Sequence, residues 1–199
     1  MSRFAAFVAL ESCLVVAPRV AWAQDSVTPA ANFAAGAIHL LTEPDHLLAI
    51  FALALLAGQV GRRALLWTPV GLSAGLLVGA LSGAALPPLQ QVEAVNLASI
   101  AVLGAVVALG APLPVAVPGA LGLLFGWGHG YANALDIGGN TPPHAYVLGV
   151  TAAALVIVIS VSIATSFLRV RWQEIAVRAV GSWICVIGLM VFALRFAGA

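Results

Sequence analysis

Six stretches of nearly uninterrupted apolar sequence, residues 31–59, 64–85, 94–110, 115–135, 145–168 and 179–196, are set apart by short runs of Gly, Pro and charge. A helix that crosses a bilayer needs about 20 apolar residues. Chain embedded in hydrocarbon must also satisfy its own backbone donors and acceptors, which restricts it to helices or closed barrels. Only 8% of the residues are charged and 62% are hydrophobic, whereas soluble domains carry about 25% charge. The sequence therefore specifies an integral membrane protein, expected to be an all-α bundle of six transmembrane helices in a single domain over residues 24–199.

Residues 1–23 have the organisation of a secretory signal peptide. Arg3 lies in a short n-region, apolar runs follow, and Ala21-Trp22-Ala23 forms an A-x-A cleavage site. Cleavage there would leave Asp25 outside the cytoplasm. All eight basic residues are Arg, and the net charge is +1. Five of them, Arg62, Arg63, Arg169, Arg171 and Arg178, fall in or beside the connections after the first and fifth blocks, while Arg195 stands near the end of the sixth. Cytoplasmic loops carry the excess of Arg, so this placement also puts the N-terminus on the outer, periplasmic side of the membrane. The same scatter provides no basic patch for nucleic acid. Cys13 and Cys185 occupy separate apolar segments and offer neither a disulfide framework nor a thiolate metal site.

The first block is too long for one straight span and contains Pro44. Proline removes a backbone donor and keeps its predecessor out of the helical region. A short half-helix to about Leu41, a break, and a second helix from about Asp45 are expected. Discontinuous helices of this kind recur at transporter binding sites. In the second block Gly71, Gly75, Gly79 and Gly83 recur every fourth residue. They leave one bare helix face on which a neighbouring helix, a partner subunit or a second copy of the chain can pack closely.

The costly residues concentrate in two places. His39, Glu43, Asp45 and His46 lie within AGAIHLLTEPDHLLAI, and His129, Asn133 and Asp136 follow one another at helical spacing in the fourth block. An Asp at the centre of a membrane helix costs about 2.5–3.5 kcal/mol, and such groups usually face an interior site or a polar path. His39 and His46 are seven residues apart, which stacks them on one face of an unbroken helix. Imidazole nitrogen together with carboxylate and amide oxygen, without sulfur, suits a divalent first-row transition metal. More ordinary roles exist for some of these groups. Asp45 can cap the second half-helix, Glu43 can close a helix end, His144 can pack in its Pro-rich loop, and Trp127 can anchor at the interface. Enzyme activity is not expected, because there is neither an H-E-x-x-H zincin motif nor a strand-to-helix nucleophile elbow. Nucleotide-driven transport is not expected either, for want of a phosphate-binding loop.

His39, five intervening residues and then Asp45-His46 reproduce the first-helix motif of the HupE/UreJ family of hydrogenase and urease accessory proteins, and LLTEPDHLLAI resembles its continuation. His129-Gly130-Tyr131-Ala132-Asn133-Ala134-Leu135-Asp136 resembles the family's fourth-helix motif, and Tyr146-Val147-Leu148-Gly149 also fits. The resemblance implies an inner-membrane permease for nickel or cobalt that feeds metalloenzyme maturation. The metal would be cargo, with no permanent cofactor. By position it assigns metal contact to His39, Asp45, His46 and His129, with Asn133, Ala134 and Asp136 where the family has histidine, glycine and glutamate. The alternative is a non-transporting accessory subunit of a larger membrane complex, held through the Gly71 to Gly83 face.

Overall fold

The computed structural model describes residues 28–137 and 143–196. The proposed signal peptide and residues 138–142 lie outside them. Seven helices make up the described residues: α1 (Pro29–Thr42), α2 (Pro44–Val60), α3 (Ala64–Ala85), α4 (Gln91–Leu109), α5 (Ala116–Asp136), α6 (Pro143–Ser166) and α7 (Arg171–Phe196). No strand occurs among them. The first block is split as its proline dictates. Glu43 is extended at φ −94°, ψ 106°, Pro44 opens α2, and the axes of α1 and α2 are bent by 78°. Thr28 starts α1 by accepting a hydrogen bond from the Ala31 amide at 3.2 Å, with Pro29 in the first turn.

Four described helices, α3, α4, α6 and α7, are long and apolar enough to cross a membrane, or five spans if the bent α1–α2 pair counts as one. The sequence expectation was six. The difference is α5, a 21-residue helix whose apolar character is diluted by His129, Asn133 and its glycines. The polar residues of α5 proposed as site candidates are among those that weaken it as a hydropathy signal.

The glycine face of α3 finds its partner inside the chain. A Cβ on Gly71, Gly75, Gly79 or Gly83 would strike the backbone of Gly119, Leu123, Trp127 or Tyr131, a constant offset that makes α3 and α5 parallel neighbours. The reciprocal contacts come from Gly122, Gly126 and Gly130 against Leu72 and Leu76. The expectation that this face could hold a second protein is therefore corrected, because α5 occupies it. Two further close pairs are antiparallel. Gly36 and Gly149 bring α1 against α6, and Gly104, Gly181 and Gly188 bring α4 against α7.

α2 runs through the middle. It is buried continuously from Ala52 to Gly58, along with Ala49 and Ile50, and packs on α6, α4, α3, α5 and α7. An all-round apolar helix has this place in a bundle. Its leucines, Leu53 and Leu56, join Leu72, Leu76, Ile100 and Leu103 in one core. The outward residues of α3 and α7, among them Leu66, Trp67, Leu81, Trp183, Val186 and Leu194, are exposed and apolar, as a lipid-facing surface must be.

The two ends of the bundle differ in charge. Arg62, Arg63, Arg169, Arg171 and Arg178 gather at the end that carries the α2–α3, α4–α5 and α6–α7 connections. There the Arg178 guanidinium donates to the Ala108 carbonyl at 2.8 Å, near the end of α4, and Gly110 closes that helix at φ 58°. At the opposite end Arg195 is paired with Glu93, tying α7 to α4.

Candidate metal-binding site

The break at Glu43 positions the site. Because α1 and α2 meet there at 78° instead of continuing as one rod, the two motif histidines are not stacked along a single helix. They meet across the bend, His39 from the end of α1 and His46 from the first turns of α2, with ring centroids 5.4 Å apart in an edge-on arrangement. His129 of α5 lies on the other side of His46, its centroid 4.7 Å away, also edge-on. The three imidazoles thus form a row with His46 in the middle. Tyr146 of α6 flanks the outer end, 5.7 Å from His39.

Burial grades along this row. His39 is half-buried and Asp45 is partly open, its side chain 34% exposed, whereas His46 is 6% and His129 2% exposed. The row is therefore approached from the Glu43 end. In the other direction α2 continues into the closed leucine core.

Hydrogen bonds fix the nitrogens. A carboxylate can only accept, so His46 Nδ1–H donates to Asp45 Oδ1 at 3.1 Å. His46 Nε2 is then the lone-pair nitrogen, and it is buried without a hydrogen-bond partner among the described residues. Asp45 stands in the first turn of α2, where its carboxylate meets both the ring and the backbone amide of His46, while Glu43, at the N-cap, makes no side-chain cap bond. Glu43 itself is exposed, with its backbone N–H donated to the His39 carbonyl at 3.0 Å. Outermost, His39 Nε2–H donates to Asn133 Oδ1 at 3.0 Å. Asn133 is 1% exposed and its Nδ2 has no partner among the described residues.

His129 has a partner that sequence reasoning did not reach. Its Nε2 lies 3.3 Å from Ser99 Oγ on α4, and its Nδ1 is buried and unpartnered among the described residues. Asn96, one turn before Ser99 on α4, donates Nδ2–H to the Gly128 carbonyl at 3.1 Å. A serine in an apolar helix usually satisfies itself on a nearby carbonyl, and Ser99 and Ser162 both do, so nothing in the sequence marked Ser99 as the one that also meets an imidazole.

The remaining candidates fall away from the row. His144 is exposed at the start of α6. Trp127, expected as an interfacial anchor, donates Nε1–H to Ser82 Oγ at 3.3 Å and packs 5.6 Å from Tyr131, so it belongs to the α3–α5 seam. The side chain of Asp136, the last residue of α5, lies outside the described residues. Ser73 sits in the run Gly71-Leu72-Ser73-Ala74-Gly75, which spells a nucleophile-elbow motif, but it lies within helix α3 and not on the strand-to-helix turn that motif requires.

Among the described residues no group of three or more His, Cys, Asp or Glu side chains is placed to hold a metal ion together. The imidazoles follow one another instead of converging. What the arrangement offers is two neighbouring buried ring nitrogens without a partner among the described residues, His46 Nε2 and His129 Nδ1, the first a lone pair oriented by a carboxylate. That carboxylate–histidine pairing is the usual outer support of a metal-ligating imidazole. Asn133 meets His39 through its amide oxygen and offers no third nitrogen lone pair.

Among known proteins, the family model described as HupE / UreJ protein matches residues 12–191. No curated protein and no solved structure matches the chain.

Proposed function

The chain belongs to the HupE/UreJ family, which is associated with nickel and cobalt accessory or transport roles, and from that premise we propose that it is a permease for a divalent transition metal, nickel or cobalt. It works in the bacterial inner membrane with its N-terminus in the periplasm, and supplies metalloenzyme maturation. The observation that carries the reading is a pair of buried ring nitrogens, His46 Nε2 and His129 Nδ1, without a hydrogen-bond partner among the described residues, in rings 4.7 Å apart. Leaving buried polar atoms without partners costs about 1–3 kcal/mol each. A fold that does so twice at adjacent imidazoles is arranged for an incoming Lewis acid.

The cation is taken up at the half-open end by His39 and Asp45, passes to the His46–His129 pair, and leaves toward the arginine-bearing end. A row of donors suits handover between pairs better than storage in one tight site. Asp45 and Asp136 compensate the charge of the cation, and Asp45 also holds the His46 tautomer. The core of Leu53, Leu56, Leu72, Leu76, Ile100 and Leu103 blocks the inner path, so export to the cytoplasm requires the helices to rearrange in the alternating manner of secondary transporters. Six crossings follow if α5, which packs beside α3 through four successive glycine contacts, crosses with it and α1 enters as a half-helix. The arginine bias between the two ends supports the orientation.

Cells carrying His46→Ala at normal protein level should lose uptake of radioactive nickel or cobalt, and unchanged uptake would overturn the proposal. The rival role as a non-transporting subunit is weakened by the internal use of the Gly71 to Gly83 face.

A further inference from the structure

Ser99 and Asn96 lie on α4, a helix that carries neither of the histidine motifs, yet their hydrogen bonds converge on the turn of α5 that holds His129. Ser99 Oγ is 2.6 Å from the Asn96 carbonyl, an oxygen that can only accept, so the hydroxyl hydrogen is committed there. Oγ is then left as an acceptor, and the group facing it at 3.3 Å, His129 Nε2, must carry the hydrogen. This fixes the imidazole as the Nε2–H tautomer and leaves the lone pair on Nδ1, the atom without a partner among the described residues.

Asn96 holds the same turn a second way. Its Nδ2–H donates to the Gly128 carbonyl at 3.1 Å, and a Cβ at Gly128 would collide with its Oδ1, so only glycine lets α4 approach the backbone beside His129 this closely. Ser99 is fully buried, Asn96 is 5% and His129 2% exposed. Water does not compete for these bonds.

We infer that Ser99 is a positioning residue for His129: through its link to the Asn96 carbonyl it selects the tautomer that leaves the lone pair on Nδ1, in a ring 4.7 Å from that of His46, as Asp45 selects the tautomer of His46. This deepens the metal-transport reading and rests on it for the role of the lone pair. The tautomer assignment stands independently of whether any metal is carried. The two central imidazoles then have matched supports of opposite kind. His46 is held by a carboxylate at Nδ1 and offers Nε2; His129 is held by a neutral hydroxyl at Nε2 and offers Nδ1. The site gains two nitrogen donors while only one negative charge is spent on supporting them.

The test uses the full chain in lipid nanodiscs with ¹⁵N-labelled histidine, comparing the native protein with Ser99→Ala and Ser99→Thr. Nitrogen shifts should show His129 as the pure Nε2–H tautomer in the native protein, a mixture of tautomers in Ser99→Ala, and a return toward the native tautomer in Ser99→Thr. Nickel affinity, read by competition with a chromophoric chelator, should fall about 10- to 100-fold in Ser99→Ala, the usual effect of removing an outer support. A native-like His129 tautomer in Ser99→Ala, or a changed tautomer with unchanged nickel affinity, would overturn the inference. If the native protein binds no nickel, the metal reading fails and the tautomer comparison alone decides this one. Should the threonine methyl fail to fit, Ser99→Cys supplies the second variant. Its thiol keeps a hydrogen for the Asn96 carbonyl and a weak acceptor for His129 Nε2–H, and should restore the native tautomer in part.

Discussion

Gly79→Ala adds one methyl group and should loosen the whole α3–α5 seam. A Cβ at this position would lie 2.9 Å from both the carbonyl carbon of Trp127 and the amide nitrogen of Tyr131, and closer still to the Trp127 carbonyl oxygen. Ordinary van der Waals contact begins at 3.4 Å, so the helices must separate by at least 3.4 − 2.9 = 0.5 Å at this level. All the obstructing atoms belong to helix backbone and cannot rotate away. Overpacking of this kind costs about 1–3 kcal/mol, equivalent to about 2–12 °C in unfolding midpoint for a chain of this size. Trp127 and Tyr131 bracket His129, so separation at Gly79 also moves the imidazole away from His46. Thermal unfolding in nanodiscs, followed by intrinsic tryptophan fluorescence, gives the midpoint, and nickel binding on the same samples reports the displacement. Leu81→Ala, on the 72% exposed outward face of the same helix, is the control and should leave both unchanged. A Gly79→Ala protein with native midpoint and native binding would refute the account of the α3–α5 packing.

Asp45→Asn removes the charge that holds the His46 Nδ1–H and should weaken nickel binding about 10- to 100-fold in chelator competition, with affinity within twofold of native as the contrary result. Tyr131→Phe deletes a hydroxyl that donates to the Pro87 carbonyl at 2.6 Å and accepts from the Leu89 amide at 3.2 Å. The α3–α4 connection should then exchange its amide hydrogens faster, at a cost of about 0.5–1.5 kcal/mol; unchanged exchange there would show that the ring alone anchors it. Asn133→Ala leaves the His39 Nε2–H without its acceptor and should lower metal uptake at the entrance more than it lowers affinity at His46 and His129, which parallel uptake and equilibrium-binding measurements separate.

Much of this was legible in the chain because it depends on local constraints. The apolar blocks became helices, and Pro44 broke the first block where its ring excludes a helical Glu43; the sixth differs, since α7 begins at Arg171 and takes in Glu174 and Arg178, which were expected in the loop before Ala179. The four-residue spacing of Gly71 to Gly83 identified a bare face, but the spacing names no partner. Recognising α5 as the occupant requires matching it to Gly122, Gly126 and Gly130, a pairing across about 50 residues that the structure makes explicit. His39, His46 and His129 stood out because charge and imidazole are expensive in apolar chain. Their arrangement did not: stacking on one helix face was replaced by a meeting across the 78° bend. Ser99 was invisible for the opposite reason, since a serine that bonds to a carbonyl of its own helix costs little and leaves no mark in the sequence. The number of crossings does not follow from hydropathy alone, because His129, Asn133 and the glycines dilute the apolar character of α5.

The central claim is that His46 and His129 together ligate a divalent metal through their free nitrogens. X-ray absorption at the nickel edge, on protein loaded with one equivalent of nickel in nanodiscs, tests it most directly. Native protein should show imidazole nitrogen scattering that is lost in the His46→Gln/His129→Gln double variant. A nickel shell of oxygen donors only, identical in the two proteins, would contradict it.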